Sequence, residues 1–542
     1  MSRIKIQKFV SMATAGIVVG LFIILFSTTH SQAVAQVAIT SPTNGQGVPG
    51  TNVTISGTSS PNASIVLSNN GISFAQTIAD SSGNWSILVT SLPAGNATIT
   101  AKAIVNTGFG YFPTANEDHT VWKVNQMRLS DNALNTTSGY PYTLDSPALG
   151  LMLSPVSTKS YLVYPFDEND VPRKFDTAAP ALPVAADPYP AGGRPGFGVF
   201  SNDDTKFYSL NQQSNEVVIV DVATNAAIGE VSISGTEAST VGNRNNGELY
   251  IGSMDYDPDP KNIIDIISTE TDSIRKTFDS PCGTTGAGLI SFSQDAAYPY
   301  YFVPCIQAGK IYKMKLSDDS VIATWDVGGH PTGMAVSADN KKLFTFTSQF
   351  ADVDESDTLR VYSTDNGSLL SSIALSGAAI GFLSSPDLKS IYVSTPGDIG
   401  TGGGIENIDV VNMLDNSKVS IATDGSPSLF TASSQESVST ADVNVSFVLG
   451  VATASTTPAS QLAKTGIFVA LASPVGLLLI GGALFTYYDY RRHKQPLLAV
   501  DSDASYSYFH HLKVVSLPLA KYRLSIGVDR QVGDRSDRVR RF

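Results

Sequence analysis

Histidine and cysteine, which carry much of enzyme chemistry, are scarce in this chain, and so is tryptophan. Among 542 residues there are six histidines, two cysteines and three tryptophans. His330 is the only histidine between residues 120 and 492, so the long central part has almost none of the side chain most used to move protons or bind metals. No nucleotide-binding loop, zinc motif or nucleophile elbow is present. We therefore expect no catalytic constellation. Long helical runs of Leu, Ala, Glu and Lys are missing, and charged residues make up 15% of the chain. Clustered positive charge is missing from the middle: residues 36–460 hold 20 Lys+Arg against 42 Asp+Glu, a net −22. Phosphate backbones require clustered Lys and Arg, which argues against nucleic acid as a partner. What recurs instead is Gly, Ser, Thr, Asn and Val, with apolar residues at 42%. That composition suits folded β-rich domains, and the length calls for more than one.

The two ends are hydrophobic. Residues 1–35 read as an export signal: Arg3, Lys5 and Lys8, an apolar run from Phe9 to Phe26, then Ala33-Val34-Ala35 as a cleavage site before Gln36. The alternative is an uncleaved anchor. Ile467 to Tyr488 is 22 residues without a charge, long enough at 1.5 Å per residue to span a bilayer. Tyr487, Tyr488 and Tyr490 stand at an interface position, and Arg491, Arg492, His493 and Lys494 follow at once. The segment 491–542 carries a net +6, which places the C-terminus in the cytoplasm. The alternative for 467–488 is a buried core helix.

Directly before that helix stand Leu462, Ala463, Lys464, Thr465 and Gly466, preceded by an Ala/Ser/Thr-rich linker from residue 451. The pentapeptide resembles a sortase sorting signal of the LAxTG type. The resemblance implies cleavage after Thr465 and transfer of Thr465 to the cell wall or a pilin, with a sortase as partner. The chain departs from that pattern in the 48 residues that follow Lys494, so retention as a single-pass membrane protein stands beside it.

Residues 36–110 alternate apolar and polar residues in short runs, such as Val53–Ile55, Ser64–Leu67, Ser86–Val89 and Ala97–Ala101, broken by turn residues. Strand Val53–Ile55 runs into Ser56-Gly57, and Asp80, Gly83 and Trp85 form an Asp-x-x-Gly-x-Trp hairpin. This resembles the bacterial Ig-like repeats of surface adhesins. It implies a small β-sandwich that acts as a stalk, with Trp85 in its core.

The body at 118–450 is repetitive. A polar residue precedes an aromatic by seven positions at Ser154/Tyr161, Ser201/Tyr208, Asn243/Tyr250, Ser293/Tyr300, Ser337/Phe344 and Ser385/Tyr392. Each unit reads as strand, polar turn, strand, then a third strand (Glu216–Val222, Ile263–Ser268, Lys310–Leu316, Leu359–Ser363, Glu406–Asn412) and a fourth (Ile228–Ile233, Ile274–Phe278, Val321–Val327, Leu369–Leu375). Four strands per unit, six times over, signal a β-propeller. Pro331-Thr-Gly333, Ser337-Ala-Asp-Asn340, Ser385-Pro-Asp-Leu388, Ile391-Tyr-Val-Ser394 and Asp221-Val-Ala-Thr224 resemble the YVTN family of propellers. A seventh, incomplete unit over Pro427–Gly450 would be completed by Thr120–Leu129, which joins the chain ends; six blades is the alternative.

Strand parity places loops before the first strand and between the second and third on one face. Cys282 and Cys305 fall there, in one unit, and a disulfide is expected in an oxidising compartment. Two unpaired buried thiols is the alternative. Three acidic loops share that face: Asp167, Glu168 and Asp170; Asp255, Asp257 and Asp259; Asp352, Asp354, Glu355 and Asp357. Carboxylates two apart can share a hard cation such as Ca²⁺, although the spacing is not that of an EF-hand. Solvated acidic loops are the other reading.

The expected fold class is all-β: a small Ig-like β-sandwich, then a six- or seven-bladed propeller, with hydrophobic helices at the termini. The expected domains are a signal peptide at 1–35, the sandwich at 36–110, the propeller at 118–450, the linker with LAKTG at 451–466, the membrane helix at 467–488 and a basic cytoplasmic tail at 489–542. The expected function is surface-anchored binding or adhesion, with an extracellular protein or glycan as ligand. The competing classes are an extracytoplasmic propeller enzyme (a lyase or an oxidoreductase) and a purely structural envelope protein.

Overall fold

The computed structural model describes residues 35–450 except 91, 138, 155, 165–170, 191–194, 212–213, 245, 257–258, 349–356, 397–405 and 428–437. The expected signal, the LAKTG motif, the helix at 467–488 and the basic tail lie outside the described residues. The described part is all-β, without a helix. No helix among the described residues is long and apolar enough to cross a membrane.

Six four-stranded antiparallel sheets follow one another along the chain, each with its strands in sequence order. We number them 1 to 6; they begin at Gly150, Pro195, Glu237, Ser291, Gly333 and Gly381. Sheet 2 shows why these residues make these strands. Its third strand, Glu216–Asp221, is Glu-Val-Val-Ile-Val-Asp, and its four apolar residues are all buried. A continuous β-branched run of this kind fits a strand covered on both faces. Outer strands alternate instead: Ser273–Asp279 switches between exposed and half-buried along its length. Neighbouring sheets therefore cover the inner strands on both sides and leave the outer strand half in solvent. The third and fourth strands expected from sequence coincide with those found to within a few residues.

The turn between the first and second strands has a chemical basis. In Ser201, Ser337 and Ser385 the hydroxyl donates to the carboxylate two residues on (Asp203, Asp339, Asp387), each at 2.6 Å. The same oxygen accepts the amide of the residue that opens the second strand, Lys206, Lys342 or Ser390. The turn then closes on a left-handed residue: Asp204, Asn340 or Leu388.

Side chains link each sheet to the next. The Tyr161 hydroxyl of sheet 1 donates to Asn225 of sheet 2 at 3.0 Å, and Tyr208 of sheet 2 donates to Asp272 of sheet 3 at 2.6 Å. Lys276 of sheet 3 pairs with Asp319 of sheet 4 at 2.5 Å. Lys313 of sheet 4 donates to the Thr364 carbonyl of sheet 5 at 2.9 Å, and Lys342 of sheet 5 to the Leu414 carbonyl of sheet 6 at 2.7 Å. Asn225, Asp272 and Asp319 all have positive φ in the turn between third and fourth strands, where Asx tolerates the left-handed region. In sheet 5 that position is Gly367, and a β-carbon there would overlap the Trp325 ring of sheet 4.

A seventh sheet joins the two ends of this series. Ser426–Pro427 pairs with Phe109–Ala115, which pairs with Trp122–Arg128, which in turn pairs with Ala133–Leu134 and Tyr142–Leu144. Tyr392 of sheet 6 donates to Asn132 of this sheet at 3.0 Å. Tyr140 donates to the Thr177 carbonyl of sheet 1 at 2.8 Å.

The N-terminal module has two sheets on one core. Val37–Ser41, Val53–Ser59 and Asn84–Val89 form the first. The second runs in the order Gly47–Val48, Val438–Leu449, Gly95–Asn106, Ser64–Asn69, Ile72–Ile78. Their shared core holds Ile55, Leu67, Trp85, Ile99 and Phe447. Here the sequence-based expectation needs correction. Residues 438–449 do not belong to a seventh repeat unit over Pro427–Gly450; all twelve pair with Gly95–Asn106 of the module. The reason is visible in the strand. Val445, Phe447 and Leu449 are buried and alternate with more exposed residues, as a strand with one solvent face requires. Conversely, Phe109–Ala115 belongs to the seventh sheet, although its first residues fall inside the expected sandwich.

The module packs against the turns between first and second strands of sheets 4 to 6. The Ser73 amide donates to Asp295 at 2.7 Å, and Asn340 donates to the Ser73 carbonyl at 3.1 Å. Gln76 donates to the Leu388 carbonyl at 2.9 Å, and Lys389 to the Asn62 carbonyl at 3.2 Å. Val66, Ile104, Ala338 and Leu388 form a small apolar cluster between them.

Candidate functional site

The module occupies the short-turn side of sheets 4 to 6. The loops between second and third strands, and the lead-in loops before first strands, lie at the opposite ends of the same strands. These loops vary most in length and carry the residues singled out from sequence.

Cys282 and Cys305 are joined by a disulfide with Cα atoms 5.2 Å apart. Cys282 sits in the lead-in to sheet 4 and Cys305 ends that sheet's second strand. Both are buried. Closing a loop of 23 residues in sequence separation is worth ~3 kcal/mol. In the same lead-in, the Leu289 amide donates to the Thr332 carbonyl in the lead-in to sheet 5 at 2.7 Å. A β-carbon at Gly288 would overlap that same carbonyl, so only glycine allows the two loops to meet.

The acidic residues separate. Asp255 ends the second strand of sheet 3, half-buried, with Lys261 across the hairpin at 3.7 Å. Asp259 is exposed in the same loop. Asp357 lies in sheet 5, where its carboxylate accepts the Thr358 hydroxyl at 3.1 Å and its carbonyl accepts the Leu375 amide. Sheet 4 stands between them. Asp257, Asp352 and Asp354 lie outside the described residues, as do Asp167, Glu168, Asp170 and Glu355. Among the described residues no group of three or more His, Cys, Asp or Glu could hold a metal ion.

A different acidic group forms where sheet 6 meets the seventh sheet. Burial pushes the Glu406 carboxyl above its ordinary value, and the nearby Asp424 and Glu117 charges add to this. Lys123 pairs with Asp424 at 2.7 Å. Beside them His119 stacks on Trp122 with ring centres 5.9 Å apart, and Trp122 meets Tyr164 edge-on at 5.8 Å. About 290 residues separate Glu117 from Glu406 along the chain, so no local motif reveals the group.

Two buried carboxylates escaped the sequence reading. Asp265 in sheet 3 and Asp409 in sheet 6 are fully buried at the middle of third strands. Asp265 accepts the Ser234 amide at 2.7 Å and its hydroxyl at 2.8 Å. Asp409 accepts the Ser376 amide and hydroxyl, each at 2.6 Å, and pairs with Lys418 at 3.3 Å. Each fixes the crossover that enters its sheet from the preceding one. An Asp inside an otherwise apolar strand was the available signal.

No protein-family model matches the chain, and no curated protein matches it.

Proposed function

We propose that this chain is a cell-surface binding protein: a seven-bladed β-propeller carried on an Ig-like module and held at the envelope through its C-terminal hydrophobic segment. The observation that carries the propeller reading is the series of seven junctions, from Tyr161–Asn225 through Tyr392–Asn132 to Tyr140–Thr177, which returns to its starting sheet. A closed series of sheets covers both faces of every unit, so that no unit is left with an unpacked apolar face. The two-sheet module with buried Trp85 supports the Ig-like reading.

Binding is favoured over catalysis by how charge is used. The carboxylates of Asp265, Asp409, Asp203, Asp339 and Asp387 are spent on holding turns and crossovers. The loop face, with the disulfide and the Glu406 group, is the proposed ligand surface. The net −22 of residues 36–460 disfavours nucleic acid, which leaves a protein or glycan ligand. The test is an array of glycans and extracellular proteins probed with the purified chain. A saturable ligand is expected; a ligand that is turned over would replace this reading with an enzyme. The anchor is tested by cell fractionation of Thr465→Ala. Loss of wall linkage supports sorting after Thr465, and unchanged distribution supports a retained membrane helix.

A further inference from the structure

We propose that Asn52, Asn84, Asn96 and Asn444 are acceptors for N-linked glycans, which sheathe both outer faces of the N-terminal module. The inference rests on the reading that this part of the chain is exported. An Asn-x-Ser/Thr sequence marks an acceptor amide in an exported protein. The chain has seven such sequences, and five of them fall in the module, although the repeat body is several times longer. The five begin at Asn52, Asn62, Asn84, Asn96 and Asn444. Residues two apart in a strand point to the same side, so a sequence of this kind within a strand sets its amide and its hydroxyl on one face.

The folded module turns four of them to solvent. In its second sheet, Asn96-Ala97-Thr98 and Asn444-Val445-Ser446 lie on paired strands, with Thr98 opposite Ser446 and their hydroxyls 2.9 Å apart. Asn96, Thr98, Asn444 and Ser446 are exposed, while Ala97 and Val445 between them are buried. Val66 and Ile104 of the same outer face meet the repeat body, so sugars here would cover what that contact leaves bare. In the first sheet, Asn84 and Ser86 are exposed on either side of buried Trp85, and Asn52 and Thr54 on either side of buried Val53. Leu88 stands opposite Thr54, two residues on from Ser86. It is 66% exposed, the highest value for a large apolar side chain among the described residues. Sugars on Asn52 and Asn84 would flank and cover it. Asn62 differs: its carbonyl accepts Lys389 of sheet 6 and Ser64 is fully buried, so it belongs to the docking contact. In the transfer, the Asn side-chain nitrogen attacks the anomeric carbon of a polyprenyl-pyrophosphate-linked oligosaccharide. A C–N bond forms, the bond from that carbon to the pyrophosphate oxygen breaks, the amide loses one proton, and the polyprenyl pyrophosphate leaves with the electron pair. The product is a secondary amide, so Asn84 keeps one N–H for Asp80, to which it donates at 3.2 Å.

The test is mass spectrometry of peptides from the full chain purified from its own cells, searched for mass added on each Asn. Sugar mass is expected on all four acceptors. Ser86→Ala and Thr98→Ala should each remove it from their own acceptor alone, and Thr98→Ser should keep it. Unmodified peptides at the four positions would overturn the proposal, as would sugar confined to the two sequences of the body, at Asn135 and Asn366. Protease applied to intact cells separates the causes. An unmodified chain that is cut removes the sheath alone; an unmodified chain that is not cut removes the surface reading with it.

Discussion

Leu388 shows how a single residue can break a local rule for a global reason. Its φ is +54°, a region that costs a non-glycine residue about 1–2 kcal/mol. The side chain is 6% exposed and packs with Val66 and Ile104 of the module. Burying a leucine is worth about 1.5–3 kcal/mol, so the contact offsets the strain. Leu388→Gly should therefore lose only about 1 kcal/mol of stability in a denaturant titration, as strain relief and lost burial largely cancel. Leu388→Asp relieves part of the strain but places a carboxylate in the apolar contact with Val66 and Ile104, and should cost several times more. The inter-sheet tyrosines act in the opposite direction on pH. Burial pushes the Tyr250 and Tyr298 phenols up to about 12, and Tyr208 and Tyr301 higher still. The unfolded chain ionises tyrosine near pH 10, whereas the folded chain resists. Their contribution is therefore complete below about pH 10 and is lost as pH rises through about 12 and above. Denaturant midpoints measured from pH 8 to 12 should be flat at first and then fall; a flat profile throughout would contradict the buried-phenol account.

At the level of elements, most strands were legible because periodicity and turn chemistry agree. The Ser-x-Asp turn, the aromatic seven residues on and the apolar third strand recur at fixed offsets, and each has a physical role. What was not legible is pairing between distant segments. Val438–Leu449 carries the right alternation for a half-buried strand, but nothing local says that its partner lies at 95–106. The Glu406–Asp424–Glu117 group was hidden for the same reason; of the acidic residues chosen from sequence, Asp255 and Asp259 fall at sheet 3 and Asp357 at sheet 5, with Asp255 already paired with Lys261. The strand's weight in the module is testable. Phe447→Ala removes a side chain that is 2% exposed in the core and should cost about 3–5 kcal/mol. Near-ultraviolet circular dichroism and thermal midpoint would register it. An effect below about 1 kcal/mol would mean that the module holds together without this strand.

Across the whole molecule, the module and the repeat body are tied three ways: through the chain at 106–109, through the returning strand, and through the contacts at Ser73, Gln76 and Leu388. Domains so connected should unfold together. Calorimetry is expected to show one transition for the part 35–450 within the full chain, with calorimetric and van't Hoff enthalpies in agreement. Leu388→Asp combined with Ser73→Pro, which removes an amide donor to Asp295, should split it into two. The same arrangement sets the loop face at the far ends of the strands from the docked module.

The returning strand also dictates when the protein can be finished. The module's other strands are complete once residue 106 has been made, yet its sheet waits for residue 449. At roughly 5–20 residues per second, the intervening stretch of about 340 residues occupies the ribosome for tens of seconds. Throughout that time the module lacks one of the two neighbours of its Gly95–Asn106 strand and presents an unfilled apolar groove. A chain not yet made to residue 449 thus carries an unfinished module, and arrival of Val438–Leu449 is what commits that module to its final state.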